Sequence, residues 1–331
     1  MNIRIFTNEV AGGWLATDLE DFLGGSEEVV VLLARALKRS GFNVTVFHTF
    51  PEGFSGNDYT DEGVEYKKRS SAGVNSGDIL ITFKDNLPWR GKEFRPAVKI
   101  HWSSDVEMPW PQGTVENLDA FICLSEFHKS RSIFVPYDKL KVFPQGLDTV
   151  SLTANFVPKE HDTILYCSSP DRGLSQLLND WPAIQKQYDN RFKLKVSYGF
   201  KNIDLMARNA KEVKSHLLYK MQQPGITYLG QLSKNKMEEE YHRSHYWTLP
   251  LNRADSELFC LNATKSFFCG CIPIVTRIGA LKNTVKSHIP YKNFVSGDMQ
   301  PVHEEEDKTL QLTWDQVVER YWIPLFEKHM K

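Results

Sequence analysis

The stretch 255–276 places a carboxylate and free backbone amides close together in the sequence. Asp255 is a typical helix cap, and Glu257 follows where the positive end of a helix dipole would begin. A short apolar helix is predicted over 263–269, and a strand buried on both faces follows it. A loop with these groups can hold a phosphate and a sugar hydroxyl together. The alternative is an ordinary loop–helix–strand unit of a parallel sheet.

A second group suited to anions is formed by Arg172 and Gly173, just before a helix predicted over 174–187. This arrangement sets a fixed guanidinium beside the free N–H groups of a helix start, and such a pair can bind an anion. The alternative is an exposed arginine without a binding role.

His101 and Asp105 lie at the end of a strand predicted over 97–102. In open α/β sheets, ligands bind at the carboxyl ends of the strands, so both side chains are expected near any cleft. The alternative for His101 is a buried, hydrogen-bonded histidine.

Gly24 and Gly25 occupy the turn of a predicted βαβ unit, with strands over 3–6 and 44–47 and a helix over 29–37. Glycines at a helix start allow a phosphate to approach the backbone N–H groups. The pattern is not Gly-x-Gly-x-x-Gly, so a nicotinamide dinucleotide site is not supported. A tight structural turn is the alternative.

Two sets of alternating strands and helices carry these groups, separated by a linker at about 150–158. The length of 331 residues fits two domains. Apolar residues recur at three- and four-residue spacing over 314–326, which predicts a C-terminal helix, and Pro324 should kink it.

Composition excludes several classes of protein. Hydrophobic residues make up 41% and charged residues 24%, and the net charge of −1 argues against general binding to nucleic acid or acidic membranes. Five cysteines without a framework predict reduced thiols and a cytoplasmic location. Cys269 and Cys271 are too close for the usual zinc spacing. We expect no signal peptide at the strand-like start, and no run has transmembrane length.

Several short motifs occur in the order in which one known family has them. They are Gly24-Gly-Ser-Glu27, Leu124-Ser-Glu-Phe-His128, Pro144-Gln-Gly-Leu-Asp148, Ser169-Pro-Asp-Arg-Gly-Leu174, Glu257-Leu-Phe-Cys260 with Cys269-Gly-Cys-Ile-Pro273, and Gly279-Ala-Leu281. Each motif is weak alone, but the shared order over nearly the whole chain is specific. Together they resemble the retaining, nucleotide-sugar-dependent glycosyltransferases of family 4, which have the GT-B fold.

The resemblance implies an α/β protein with two Rossmann-like domains that face each other across a cleft. Residues 1–150 would form the acceptor-side domain and residues 151–313 the nucleotide-sugar-binding domain. Residues 314–331 would form the kinked helix that packs back on the first domain.

The resemblance also implies roles for individual residues. Arg172 would neutralise the diphosphate leaving group, where the family usually has a lysine, and Glu257 would bind hydroxyls of the transferred sugar. His101 and Asp105 complete the implied catalytic set. The remaining implied donor contacts are Gly24, Gly25, Ser169, Gly173, Phe259, Cys260, Leu261 and Lys265.

The chain departs from the family pattern at two places, and a third position stays open. Lys265 stands where the family has a ribose-binding glutamate, and Cys167 where it has a second phosphate-binding arginine. We expect Lys265 to supply the missing positive charge or to contact the ribose differently. The family's catalytic histidine is either His101, or its place is taken by Ser104.

The implied function is the transfer of a sugar from a UDP- or GDP-sugar to a glycan or another hydroxyl acceptor, with retention. Such an enzyme of glycan biosynthesis would need neither a metal nor a cofactor beyond its donor substrate. Two alternatives stay open: a non-catalytic nucleotide- or glycan-binding relative, and a sugar-nucleotide epimerase with the same fold. Fold analogy does not choose among them.

Overall fold

Runs of β-branched and aliphatic residues form the strands of two separate sheets. The structure, a computed structural model, describes residues 1–21, 23–72, 78–85, 95–106, 110, 113–200, 203–204, 209–304 and 308–330. The chain divides into two units. The first consists of Met1–Asp148 and Thr309–Lys331, and the second of Thr149–Lys308.

The first unit is built on a mostly parallel sheet. Its strands are β1 Asn2–Thr7, β2 Asn43–His48, β3 Asp58–Asp61, β4 Val64–Lys68, β5 Ile79–Phe83, β6 Val98–Trp102, β7 Ala120–Cys123 and β8 Leu140–Val142, and its helices before the tail are α1 Gly25–Arg39 and α2 Glu126–Arg131. Among the described residues, the strand order is β3-β4-β2-β1-β5-β6-β7-β8. β3 pairs antiparallel with β4, and the other pairs are parallel. Every residue of β5 and β7 is buried, which is why these strands are apolar apart from Thr82.

The second unit repeats this architecture. Its strands are β9 Glu160–Tyr166, β10 Lys193–Ser197, β11 Ile226–Gly230, β12 Ser244–Leu249, β13 Ile272–Val275, β14 Ser287–Pro290 and β15 Val302–His303, and its helices are α3 Thr149–Ala154, α4 Leu174–Gln187, α5 Ala210–Lys220, α6 Lys234–Arg243, α7 Leu261–Phe268, α8 Leu281–Thr284 and α9 Tyr291–Val295. The strand order in the described part is β11-β10-β9-β12-β13-β14-β15. Strands β9 and β12 are therefore neighbours, and the loops that follow them share one edge of the sheet.

The C-terminal tail belongs to the first unit. It consists of α10 Trp314–Val317, a π-helical turn Val318–Trp322 and α11 Ile323–His329. Pro324 is the second residue of α11, and a π-turn lies just before it, in the region where the sequence analysis expects a kink. Proline has no N–H to continue the α-helical ladder, and the wider turn avoids that missing hydrogen bond.

Aromatic side chains fix the tail to the first unit. The Trp322 ring lies 5.7 Å from the Trp102 ring and 5.3 Å from the Phe143 ring, measured between centroids. The Leu147 N–H donates a hydrogen bond of 2.9 Å to the Leu312 carbonyl, where the two segments run parallel. The predicted α/β class, with two Rossmann-like sheets and a C-terminal helix on the first unit, is confirmed.

The packing of Trp322 predicts that this side chain contributes substantially to the free energy of unfolding of the first unit. Its side chain is fully buried, so Trp322→Ala should destabilise the first unit by about 3–5 kcal/mol through lost contacts and a residual cavity. Glu319→Ala, an exposed position in the same π-turn, is the matched control. Guanidinium unfolding of both variants tests this, and equal midpoints would show that the tail adds little to the unit.

Candidate functional site

A turn after β9 sets the position of Arg172. The Tyr166 hydroxyl donates a hydrogen bond of 2.8 Å to the Ser169 carbonyl, and the Arg172 N–H donates one of 2.9 Å to the same oxygen. The Ser169 hydroxyl donates a short hydrogen bond to the Asp171 carboxylate. The Ser169 side chain therefore stabilises the turn.

Gly173 completes this turn and requires the absence of a side chain. It has a φ of +93° and is the N-cap of α4. A Cβ built on Gly173 would lie 2.1 Å from the Pro250 carbonyl oxygen, which belongs to the loop after β12. The two loops thus approach each other backbone to backbone, and only glycine fits between them.

An ion pair joins the same two loops through side chains. Arg172 Nη1 lies 2.5 Å from Glu257 Oε2, and the two side chains are 35% and 11% exposed. Burial lowers the pKa of Arg172, but the Glu257 carboxylate and nearby acidic groups outweigh it, so the net pKa is raised. The guanidinium is therefore permanently charged and still reaches solvent.

The residues after Glu257 offer backbone rather than side chains. Phe259 and Cys260 are buried, and Leu261 is half-buried at the first position of α7. Cys260 is the N-cap of α7 with a φ of +75°, a left-handed conformation that is uncommon for a residue with a side chain. Burial raises the pKa of the Cys260 thiol, so the thiol stays neutral.

The motif at Gly279 packs against the Glu257 loop. Gly279 has a φ of +55°, and a Cβ there would lie 2.2 Å from the Ala254 carbonyl oxygen. The Ala280 N–H donates a hydrogen bond of 3.4 Å to the Glu257 carbonyl. The glycine therefore supports the loop that carries the carboxylate.

Asn262 links the two loops and was not singled out by the sequence analysis. Its Nδ2 donates a hydrogen bond of 2.9 Å to the Cys167 carbonyl and one of 3.3 Å to the Ser168 hydroxyl. Its Oδ1 accepts a hydrogen bond of 2.7 Å from the Tyr241 hydroxyl. A lone asparagine in a first helical turn has no distinctive sequence signal, so its role comes only from the fold.

Lys265 lies in α7. Burial raises the pKa of the Cys167 thiol to about 12, and Lys265 is among the charges that oppose the rise. The same lysine opposes the raised pKa of Cys269, which burial sets at about 12. The positive charge of Lys265 thus acts on both buried thiols in the same direction.

His101 in the first unit has no exposed surface. Its Nδ1 shares a hydrogen bond of 2.8 Å with the Thr82 hydroxyl, and its ring contacts Trp110 and Phe121 at centroid distances of 4.5 and 5.0 Å. Of the two sequence alternatives, the structure shows the buried, hydrogen-bonded histidine. Contact with a substrate would require an exposed imidazole, which this conformation does not provide.

Asp105, Gly24 and Gly25 lie at the carboxyl edge of the first sheet. Asp105 has a 60% exposed side chain that pairs with Lys84, with 2.8 Å between Lys84 Nζ and Asp105 Oδ2. Gly24 is the N-cap of α1 and Gly25 its first residue. The Glu27 carboxylate folds back over Gly24, where a Cβ would meet Glu27 Oε2 at 2.2 Å.

The predicted residues thus fall into two groups, one in each unit. In the second unit, the loops after β9 and β12 bring together Ser169, Arg172, Gly173, Glu257, Phe259, Cys260 and Leu261. In the first unit, Gly24, Gly25 and Asp105 lie at the strand ends, whereas His101 lies within the core. The described residues contain no cluster of three His, Cys, Asp or Glu side chains arranged for a metal ion. No helix in the described ranges is both long and apolar enough to span a membrane.

Comparisons with known proteins show the fold. A scan against models of protein families gives no match, and neither does a search of curated proteins. Among solved structures, AviGT4, a glycosyltransferase involved in avilamycin A biosynthesis, is similar with a TM-score of 0.65 and 13% identity, covering 99% of this chain and 98% of that one. Sucrose-phosphate synthase from Thermosynechococcus elongatus has a TM-score of 0.61 and 14% identity, covering 86% and 83%.

A third similar structure is HepE of Anabaena, solved in complex with UDP and glucose. Its TM-score is 0.61 at 11% identity, and the match covers 98% of this chain and 97% of that one. At such identities the likeness shows the fold alone. The chain has the GT-B fold, as the sequence resemblance implied.

The close backbone approach at Gly173 predicts that adding one methyl group there lowers the stability of the second unit. Gly173→Ala should destabilise the second unit by about 1–3 kcal/mol, because it adds a backbone clash to a left-handed φ. Gly270→Ala is the matched control, since Gly270 has a φ of +76° but its nearest contact is the Lys159 side chain at 3.4 Å. Denaturant unfolding should rank Gly173→Ala as the less stable variant, and the reverse order would contradict the clash.

Proposed function

We propose that this protein transfers a sugar from a nucleoside diphosphate sugar to a hydroxyl acceptor, with retention of configuration. The observation that carries the proposal is the Arg172–Glu257 pair, held between the loops after β9 and β12. It places a permanent cation and a carboxylate together at the ligand-binding edge of an α/β sheet. One similar structure named as a glycosyltransferase and a second one solved in complex with UDP and glucose support this substrate class.

Arg172 is the proposed electrostatic catalyst. When the bond between the sugar and the diphosphate breaks, negative charge develops on the leaving phosphate oxygen, and a preorganised cation stabilises that charge. The Tyr166–Ser169 hydrogen bond and Gly173 fix the turn that carries Arg172, so little reorganisation is needed. Backbone N–H groups of Phe259, Cys260 and Leu261 would share the task.

Glu257 is the proposed partner of the transferred sugar. A carboxylate accepts hydrogen bonds from sugar hydroxyls, and its 11% exposure keeps it largely away from competing water. The pair with Arg172 does not have to break on donor binding, because a guanidinium has several N–H donors and can contact a carboxylate and a phosphate together. The guanidinium of Arg172 and the carboxylate of Glu257 are thus already in position for donor binding.

In the proposed reaction, the acceptor hydroxyl attacks from the face of the leaving group, so a separate nucleophilic carboxylate is not required. Arg172 and backbone amides take the leaving-group charge that a divalent cation could otherwise take. Gly24 and Gly25 are proposed to bind phosphate at the start of α1, where the Glu27 side chain would have to move aside. Because His101 is buried, we propose that it supports the end of β6 and does not touch substrate.

A second candidate is a binding protein with the same fold but without turnover. Two observations favour it: Lys265 stands where the related enzymes have a ribose-binding glutamate, and the imidazole of His101 is covered. Slow release of nucleoside diphosphate from the donor separates the two, since only an intact catalytic site hydrolyses it. An epimerase would instead convert the donor sugar without an acceptor, which NMR of the sugar detects.

The first experiment is a thermal-shift screen of the full chain against UDP, GDP, ADP and TDP and their sugars. The ligand that raises the unfolding temperature most identifies the donor. Nucleoside diphosphate release is then measured with that sugar nucleotide. The proposal predicts stabilisation by at least one of these ligands, and no stabilisation by any would contradict it.

Arg172→Ala should lower the rate of nucleoside diphosphate release by about 10²- to 10³-fold, because the developing charge loses its cation. Arg191→Ala is the matched control, since Arg191 is an arginine of the same unit that pairs with Asp162 and is 55% exposed. Steady-state kinetics of both variants test this. Equal rates for the two variants would refute the role of Arg172.

Lys265→Ala should weaken donor binding by roughly tenfold, because a charge-assisted contact to phosphate or ribose is lost. Lys211→Ala, at an exposed position of α5, removes the same charge elsewhere in the unit. Isothermal titration calorimetry with the identified donor measures both affinities. An unchanged affinity in Lys265→Ala would show that this lysine does not replace the missing cation.

A further inference from the structure

Lys84 has a backbone conformation that favours a different residue. It follows β5 directly and has a φ of +55°. Left-handed conformations cost a lysine conformational energy that a glycine would avoid. What lysine offers at this position beyond glycine is an ammonium group. A backbone outlier of this kind is a reason to look for function at the side chain.

The ammonium group is held at a defined place by two partners. Lys84 Nζ lies 2.8 Å from Asp105 Oδ2 and 3.4 Å from the Ser26 hydroxyl. The Lys84 side chain is 20% exposed and that of Asp105 60% exposed. Pairs with this degree of exposure add little to stability, so a purely structural role gives a weak reason for the strained backbone.

A second, more buried ion pair involves Asp85, the residue that follows Lys84. Arg69 Nη1 lies 2.7 Å from Asp85 Oδ2, and the guanidinium lies over the Phe6 ring at 4.5 Å from its centroid. Arg69 also donates a hydrogen bond to the Thr7 carbonyl at the end of β1. The loop after β5 is therefore tied to the end of β1, which limits where Lys84 can point.

The topology makes this the expected ligand position of the first sheet. β1 has β2 on one side and β5 on the other, so the chain runs outward from β1 in both directions. Ligands of such sheets bind in the crevice at the carboxyl ends where the strand order reverses. Lys84 follows β5, and Ser26 lies in the first turn of the helix that follows β1. The two side chains meet over that crevice.

We propose that Lys84 binds a phosphate group of the substrate and that Asp105 is the positioning residue that aims it. The identity of the substrate rests on the proposed function. The phosphate belongs either to the diphosphate of the sugar donor or to a phosphorylated acceptor. Asp105 then acts through Lys84, and its carboxylate is not an acid or base in the reaction.

The test uses pyrophosphate as a probe without a base or sugar, with calorimetry on the full chain. Lys84→Gln should weaken pyrophosphate binding roughly tenfold, and Lys84→Arg should retain most of it because the charge is kept. Asp105→Asn should give an intermediate loss that Asp105→Glu restores. Lys67→Gln is the matched control, since Lys67 pairs with Glu65 at 3.1 Å in the same unit.

The variant Lys84→Gly distinguishes the effect of the Lys84 side chain from that of its backbone conformation. Glycine relieves the left-handed strain, so a purely structural lysine predicts a protein of equal or greater stability with unchanged pyrophosphate affinity. The proposal predicts an unimpaired unfolding temperature together with the same loss of affinity as Lys84→Gln. Pyrophosphate affinity unchanged in both Lys84→Gly and Lys84→Gln would overturn the proposal.

Nucleoside diphosphates identify the source of the phosphate. If affinity for the best-binding nucleoside diphosphate falls with that for pyrophosphate, Lys84 binds the donor. If only pyrophosphate binding falls, Lys84 binds a phosphate carried by the acceptor. Both outcomes support the site. Should the chain bind no nucleotide at all, the proposed transferase function fails while the pyrophosphate result for Lys84 still stands on its own.

Discussion

The contact between Arg172 and Glu257 is the interaction on which the candidate site depends. Each residue lies in a loop after one of two adjacent strands, so neither side chain has a fixed position without its own loop. A single ion pair of this exposure contributes little stability. Its importance is geometric, because it brings a cation and a hydrogen-bond acceptor together at the carboxyl edge of the second sheet.

The backbone holds this pair in place more than other side chains do. Gly173 and Gly279 each allow a carbonyl of a neighbouring loop to come within a distance that a side chain would exclude. Cys260 adds a left-handed cap, and Asn262 joins its helix to the end of β9. These short-range contacts leave little room for the loops to move, so we expect the loops to be rigid.

The fold was largely accessible from the sequence, whereas the roles of the second-unit residues stay predictions. Strand–helix alternation predicted both sheets, and the order of short motifs pointed to the loops after β9 and β12. The glycines, Arg172 and Glu257 lie in local turns, and such turns leave a trace in neighbouring residues. The aromatic stripe of the tail was visible for the same reason, since its spacing is local.

Other features depend on contacts between distant segments and left no local trace. Lys84 meets Asp105 and Ser26 only because three loops converge, and no spacing in the sequence shows that. The burial of His101 is set by Trp110 and Phe121, so periodicity could not decide between its two alternatives. The π-turn before Pro324 is one of several ways to accommodate a proline, and the sequence pattern does not specify which one forms.

The tail has a consequence for how the chain is made. The first unit is discontinuous, since the segment that packs on Trp102 and Phe143 follows the whole second unit in the sequence. A ribosome therefore releases every residue of the second unit before the core of the first can close. During translation the aromatic surface around Trp102 and Phe143 therefore stays exposed to solvent until the segment that carries Trp322 has been made and can pack on it.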